Sequence, residues 1–472
     1  MGWKRADIYL GLIIVAFCLH SIPASAGIEV QSSYDEYRQV STIYISGNHS
    51  TREITILTEL PFETGNIIKE KDILALVRRA EQNLLNTSLF NFVEIDVIYP
   101  DRRTVSFHID VEERWYIWAF PVFEQEGRNF SDFLRINDGS HFNYGVYLKH
   151  DNFRGRNETL KLRMVTGYRS QVLFEFKKPG FNQQSGWGFS AGWLAYDQTA
   201  YNTMYDKQVF IKTSGSRLLR QSTFEFNYFY RHQLDHHHQI TVTYENLNAA
   251  DTLRKINPDF LPSNSNNNQS IDAEYKYTYD RRDSKIYPLR GNKYEFSFAR
   301  RGFSVDNGYE GFFQTSATAS FQYPLTNRIF AGSKTHLSAI DKDQVPYVFR
   351  TGLGYREYLN GFEYRVIDGA SYGYVQNRLL YEIIPRTERN INWIPISQFS
   401  RVHYALYFRL HFDAGYVLND KAISYNQMAN SLLMGYGFGF DMVTFYDKIL
   451  SLNYSFNNFG EHGIFVHFNL SM

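Results

Sequence analysis

The chain has 472 residues, with 49 basic and 49 acidic side chains and no net charge. That balance supplies no basic face for nucleic acid, and a mean hydropathy of −0.40 excludes a bundle of membrane-spanning helices. Aromatic residues make up 17% of the chain, with 36 Tyr and 39 Phe, and Cys18 is the only cysteine, so a chain shortened past it has no disulfide and no cysteine-based metal site.

Residues 1–26 read as a secretory leader. Lys4 and Arg5 charge its start, Ile8 to Leu19 is an apolar run too short to span a bilayer, and Ala24-Ser25-Ala26 is a small-residue cleavage site. Phe17 is bulky where a lipoprotein signal wants a small residue, which argues against Cys18 as a lipid anchor. Residues 27–37 are a polar linker.

A compact α+β unit is expected over 38–115, in the order strand, helix, helix, strand, strand. Val40 to Ile45 alternates as a strand and stops at Gly47-Asn48. Ser50-Thr51-Arg52-Glu53 has capping-box spacing and predicts a short helix through Leu60, broken by Pro61 and Gly65. Ile73, Leu76, Val77, Ala80 and Leu84 recur at helical spacing and predict a second helix over about 71–86. Phe92 to Tyr99 and Thr104 to Glu112 predict a hairpin around Pro100-Asp101-Arg102.

From about residue 117 the period changes to two. In the stretch 223–230, Phe224, Phe226, Tyr228 and Tyr230 share one face of a strand, and Thr223, Glu225 and Asn227 the other. In a soluble sandwich the apolar face is core; in an outer-membrane barrel it meets lipid and the polar face lines a wet lumen. An exported chain without spanning helices points to the barrel, because only helices and closed barrels satisfy every backbone group in lipid. The reading is an all-β transmembrane antiparallel barrel over 116–472. Its sixteen strands are expected at 117–124, 142–151, 158–168, 170–178, 186–196, 221–232, 238–247, 270–281, 291–302, 310–323, 329–340, 373–384, 402–413, 432–443, 448–456 and 463–470. A stretch at 205–213 is placed in a long outer loop, since single-chain bacterial barrels have even strand counts.

Two groups of residues carry a family resemblance. Ile43-x-Ile45-x-Gly47-Asn48, Gly65, and Leu85 followed by Leu89-Phe90 before the hairpin resemble a POTRA domain, the periplasmic module of BamA/TamA-type outer-membrane assembly and translocation proteins with a bacterial surface antigen barrel. Asn143-Tyr144-Gly145 with Asp151 to Gly155 resembles that family's second barrel strand and turn. Tyr277 to Asp283 with Pro288 and Gly291 resembles its eighth strand, periplasmic turn and ninth strand. Leu359-Asn360-Gly361-Phe362 resembles the tip of its sixth extracellular loop, which folds into the lumen and contacts an acidic residue on a later strand. The implied partner is Asp413 in Phe412-Asp413-Ala414-Gly415. Alternation places Phe408, Leu410 and Phe412 toward lipid, and Arg409, His411 and Asp413 toward the lumen. The family's tip arginine is Asn360 here, so a neutral amide stands where a bidentate guanidinium is usual; Arg356 or Arg365 could supply the charge. Glu461-x-Gly463-x-x-Val466-x-Phe468 resembles the C-terminal β-signal, although the chain runs on to Met472 where the family commonly ends on an aromatic residue.

The resemblance implies a protein that inserts or translocates other proteins at the outer membrane. POTRA strands would hold an extended client, and a weakly paired seam between 117–124 and 463–470 would template its pairing. The implied partners are outer-membrane lipid, an unfolded outer-membrane or secreted client, and accessory lipoproteins. No enzyme, cofactor or metal is expected. His236-His237-His238 alternate faces on a strand and cannot all reach one ion. Glu112-Glu113 and Asp280/Asp283 lie at a junction and a turn without a nucleophile nearby. The competing readings are a transporter dedicated to one partner or lipid, a passive channel, and a surface protein using loops such as 249–269.

Overall fold

The computed structural model describes residues 36–125, 142–179, 184–213, 217–262, 265–305, 308–342, 345–355, 357–419 and 426–469. The leader, most of the linker and Arg356 lie outside the described residues.

The N-terminal unit contains β1 (Tyr37–Ser46), α1 (Glu53–Leu57), β2 (Ile67–Lys69), α2 (Ile73–Leu85), β3 (Phe90–Ile98) and β4 (Thr104–Glu113). Its sheet has the order β2-β1-β4-β3, with β1 and β4 parallel and the other pairs antiparallel. Val77, Ala80 and Leu84 on α2 pack over Val40, Phe107 and Ile109. Burying a side chain such as Phe107 contributes about 1.5–3 kcal/mol. Gly47 turns the chain out of β1 at φ +82, where an added Cβ would lie 1.9 Å from the Val111 carbonyl oxygen. Asn48 then donates to Thr51 O at 3.0 Å, Gly65 N donates to Val40 O at 2.8 Å, and Leu89 and Phe90 are buried.

Two local expectations differ. The short strand β2 was not legible, because three residues carry too little alternation. The capping box does not form: Arg52 is the N-cap of α1 and makes no side-chain cap. Instead Ser50 N and Thr51 N donate to the Glu113 carboxylate, Thr51 N at 2.6 Å. A buried carboxylate from the far end of the unit takes the donors that Glu53 would otherwise cap.

The second unit is a sixteen-stranded antiparallel barrel. In chain order its strands are β5 (Ile117–Gln125), β6 (Phe142–Phe153), β7 (Glu158–Gly167), β8 (Arg169–Lys178), β9 (Ser185–Tyr196), β12 (Leu219–Gln233), β13 (His236–Ala249), β14 (Asn267–Asp280), β15 (Gly291–Ser304), β16 (Phe312–Pro324), β17 (Ile329–Ile340), β20 (Ser371–Asn390), β21 (Arg401–Leu418), β22 (Leu433–Thr444), β23 (Lys448–Asn457) and β24 (His462–Asn469). Phe224, Phe226 and Tyr228 face outward and exposed, while Asn227 beside them is buried. Phe412 is 48% exposed and its neighbour Asp413 is 0%. That inversion marks the outer face as the apolar one.

The hydrogen-bonded order ends at β5 and β24, and no ladder joins these two among the described residues. Trp118 on β5 meets the ring of Tyr446, in the β22–β23 turn, at 5.2 Å, which brings the start of the sheet close to its last strands. Pro121 sits within β5. Proline cannot donate to a ladder, so sheets tolerate it where its nitrogen faces an open edge.

The stretch at 205–213 lies outside the barrel sheet, but not as a lone strand. β10 (Gln198–Met204) and β11 (Lys207–Lys212) form a separate hairpin. Its turn residues Tyr205 and Asp206 both have positive φ, near +53 and +54. Other loops hold that strained turn: Asp206 O accepts Val366 N at 2.9 Å, and Asp206 N donates to Asn426 at 3.1 Å. The segment 249–262 contributes α3 (Asp251–Ile256), and Phe260 stacks near Tyr347 at 5.9 Å. These loops make a dome over the end of the barrel away from the N-terminal unit.

At the other end the N-terminal unit sits against five barrel turns. Arg52 N donates to Gly155 O at 3.0 Å, Arg79 pairs with Asp235, Asn86 accepts Lys285 N at 2.9 Å, Asn91 donates to Gln398 O at 3.1 Å, and Arg114 pairs with Asp447 at 2.6 Å.

Candidate functional site

The site forms where the segment 345–369 folds into the barrel. It carries two short strands, β18 (Thr351–Leu353) and β19 (Ile367–Gly369), that pair with each other and stiffen its base. Leu353, Leu359, Phe362 and Ile367 pack with Tyr374, Val417 and Leu433. Burial of these side chains helps to pin the loop inside.

At the tip, Asn360 donates twice to one Asp413 oxygen, from its backbone N at 2.9 Å and from its side-chain amide at 2.7 Å. Gln376 donates to the same oxygen at 3.3 Å and to Tyr358 O at 3.1 Å. The second Asp413 oxygen is buried without a hydrogen-bond partner among the described residues. A cavity of about 270 Å³ lies beside it, lined by Asn360, Gln376, Arg409 and Asp413 among others. A neutral amide thus uses half of the carboxylate and leaves space where a longer side chain would reach.

Gly361 turns the tip at φ +87, and its carbonyl accepts Asn457 Nδ2 at 2.7 Å. The barrel wall is cut back to admit it. A Cβ on Gly435 would fall 1.8 Å from the Asn360 carbonyl oxygen, and one on Gly415 would fall 2.8 Å from Leu359 Cδ1. Phe362 is buried and meets Phe459 edge-on at 6.2 Å.

Arg365 does not take the missing arginine's place at Asp413. Its guanidinium pairs with Glu461 and donates to Tyr205 O at 2.8 Å. Burial alone would push the Glu461 carboxyl up, but the hydrogen bonds from Arg365 and Asn457 and the charge of Arg365 hold it below the usual range.

The β-signal residues divide by face. Val466 pairs with Leu452 and Phe468 with Leu450, and Phe468 points outward, 60% exposed. Gly463 faces inward, where Tyr364 passes 3.6 Å from its ideal Cβ position. The inward neighbours Phe465 and His467 were not singled out from sequence. Phe465 is 1% exposed and meets Tyr364 at 5.0 Å; His467 stacks on Tyr358 at 5.0 Å and lies 3.5 Å from Glu363. A signal for them existed: Phe465 is an aromatic residue on a face that is otherwise polar. The same holds for Gly435-x-Gly437-x-Gly439, three glycines on one face of β22, which mark a close approach. Together the loop contacts β20, β21, β22, β23 and β24 from inside, and among the described residues no ladder ties β24 to β5.

A barrel with an infolded loop, fronted by a small mixed sheet that touches its turns, defines a class of outer-membrane protein. Residues 39–114 match the POTRA family described as a surface antigen variable number repeat, and residues 152–374 match the Omp85 superfamily domain. The chain thus carries a POTRA domain followed by an Omp85 superfamily domain, a family of outer-membrane proteins. Among solved structures it is similar to BamA from Haemophilus ducreyi lacking POTRA domains 1–3. The two are 15% identical, over 91% of this chain and 84% of that one, with a TM-score of 0.52. It is also similar to CdiB from Escherichia coli, at 14% identity over 92% of this chain and 76% of that one, with a TM-score of 0.57. At these identities the likeness is one of fold. No curated protein matches the sequence.

Proposed function

We propose that this protein inserts or translocates other polypeptides at the outer membrane, without enzymatic chemistry, through the seam between β5 and β24. Its leader exports it, the POTRA unit lies in the periplasm, and the domed end faces outward. The observation that carries this reading is an asymmetry of fastening. The infolded loop braces the last five strands, while β5 and β24 share no ladder among the described residues.

A seam without a ladder among the described residues offers backbone donors and acceptors that an arriving strand can match, so client folding itself supplies the driving energy. On the POTRA unit the two edge strands are β2 and β3. Arg401 stands over the Phe92 ring at 3.8 Å beside β3. Among the described residues no strand pairs with the outer side of β2, where Ile67 is 70% exposed, and this edge would hold an extended client. The dome of loops 198–212, 249–262 and 345–369 disfavours a passive open channel.

Depletion of the protein in its host followed by quantitative outer-membrane proteomics tests the reading. Loss of many unrelated barrels supports general assembly. Loss of one protein or lipid class makes it a dedicated transporter, and an unchanged proteome refutes the proposal.

A further inference from the structure

A cavity of about 370 Å³ lies between the POTRA unit and the lumen wall. Asn83, Asn86 and Thr87 on the POTRA side line it, with Lys177 from β8, Arg231 from β12, Lys276 from β14, and Lys285 from the β14–β15 turn. Glu59 is its one carboxylate. Four cations against one anion leave a net charge of +3 with the histidines neutral.

Arg231 and Glu59 satisfy each other at 2.9 Å. The three amines have no such partner among the described residues, although Lys177 Nζ stands over the Phe229 ring at 5.1 Å. Acids close to them in the lumen are engaged elsewhere: Glu175 holds Lys161 at 2.9 Å, and Glu295 holds Lys293 at 2.9 Å. Among the described residues no carboxylate makes an ion pair with Lys177, Lys276 or Lys285. Burial and the nearby Arg231 and Arg282 lower the Lys285 pKa, although Glu59 and Asp280 oppose this. Like charges gathered on separate elements are unfavourable unless an anion visits them.

We propose that this vestibule binds the acidic stretch of an extended polypeptide as it passes from the POTRA unit toward the barrel, an inference that rests on the assembly or translocation reading above. The chemistry and the placement select this occupant. The ammonium group is a compact point charge without the fixed fork of a guanidinium. Three such charges on three elements accept carboxylates at varied spacing, as a changing client sequence requires. Phe229 and Pro179 add apolar wall. The cavity lies on the lumen side, since Lys177 alternates with the outward-facing Phe174 on β8. A bilayer lipid would have to cross the wall to reach it.

The test uses the full chain in detergent and a labelled peptide of alternating Glu and Ser, followed by fluorescence anisotropy. The Glu peptide should bind, weaken as salt rises, and lose about tenfold or more in affinity with the K177Q/K276Q/K285Q variant. The same peptide with Gln in place of Glu should not bind. Heat-modifiable mobility on a gel verifies that the barrel is folded, and K285Q alone, altered only in a turn, should give part of the loss. Equal binding of Glu and Gln peptides, an unaffected triple variant, or full displacement by millimolar inorganic phosphate would each overturn the proposal, the last assigning the site to a small oxyanion. An intact depletion phenotype with no peptide binding would remove this inference and leave the assembly reading standing.

Discussion

Asp413→Ala should release the tip of the infolded loop. One oxygen of this fully buried carboxylate accepts both donors of Asn360, at 2.9 and 2.7 Å. Removing it takes away the carboxylate and also its desolvation cost, so the Coulombic gain and that cost largely offset. What remains is a buried backbone N–H and amide without an acceptor, worth about 1–3 kcal/mol for an unsatisfied group. We take about 2 kcal/mol, which at ~1.4 kcal/mol per decade raises the open population roughly thirtyfold. Hydrogen exchange across 357–366, with limited proteolysis of 345–369, reads that change. Asp413→Asn keeps an acceptor and should give a smaller effect. The apolar cluster around Phe362 should keep the barrel folded in both variants. Unchanged protection in the alanine variant would refute the contact as a determinant of loop docking.

Asn360→Arg should tighten the same loop, because the second Asp413 oxygen is unpartnered and the adjoining cavity has room; slower exchange at 357–366 is the expected result, and faster exchange would show that the cavity cannot take the guanidinium. Gly435→Ala should loosen the loop without removing any hydrogen-bonding side chain, since its Cβ would fall 1.8 Å from Asn360 O; native-like proteolysis would contradict the close approach. A disulfide between cysteines placed on β5 and β24 should stop client insertion while the barrel stays folded, and full activity under oxidising conditions would exclude lateral opening; with Cys18 the only native cysteine, mispairing is limited. The joint between POTRA and barrel should weaken in acid. Burial alone would raise the Asp447 carboxyl, but the hydrogen bonds and charge of Arg114 outweigh it and hold it below the usual range. That stabilisation is present above the unfolded carboxylate pKa and is lost as pH falls through the lowered folded value. Hydrogen exchange at 114–118 should report it, and an identical acid profile in Asp447→Asn would refute this assignment.

Period-two alternation was enough to place sixteen barrel strands within a few residues, with the main exceptions at β20 and β21. These run to Asn390 and Leu418, beyond 384 and 413. Their extensions stand clear of the two-faced segment, so polarity no longer alternates there and hydrogen bonding to each other is what continues them. The capping box failed for the opposite reason: Ser50-x-x-Glu53 is a sound local signal, but Glu113, distant in sequence, arrives as a better acceptor.

The sequence by itself determined where strands run, which face is apolar and that Asp413 points inward, because side-chain period is a local property. That the Asn360-Gly361-Phe362 tip meets Asp413 was implied by the family resemblance and by no local pattern. Only the tertiary structure decided that Arg365 turns to Glu461, that Tyr364 and Tyr358 brace Phe465 and His467, and that Lys177, Lys276 and Lys285 share one vestibule. Those pairings join residues tens to hundreds of positions apart, and what selects among them is barrel curvature and loop infolding, which no local pattern encodes.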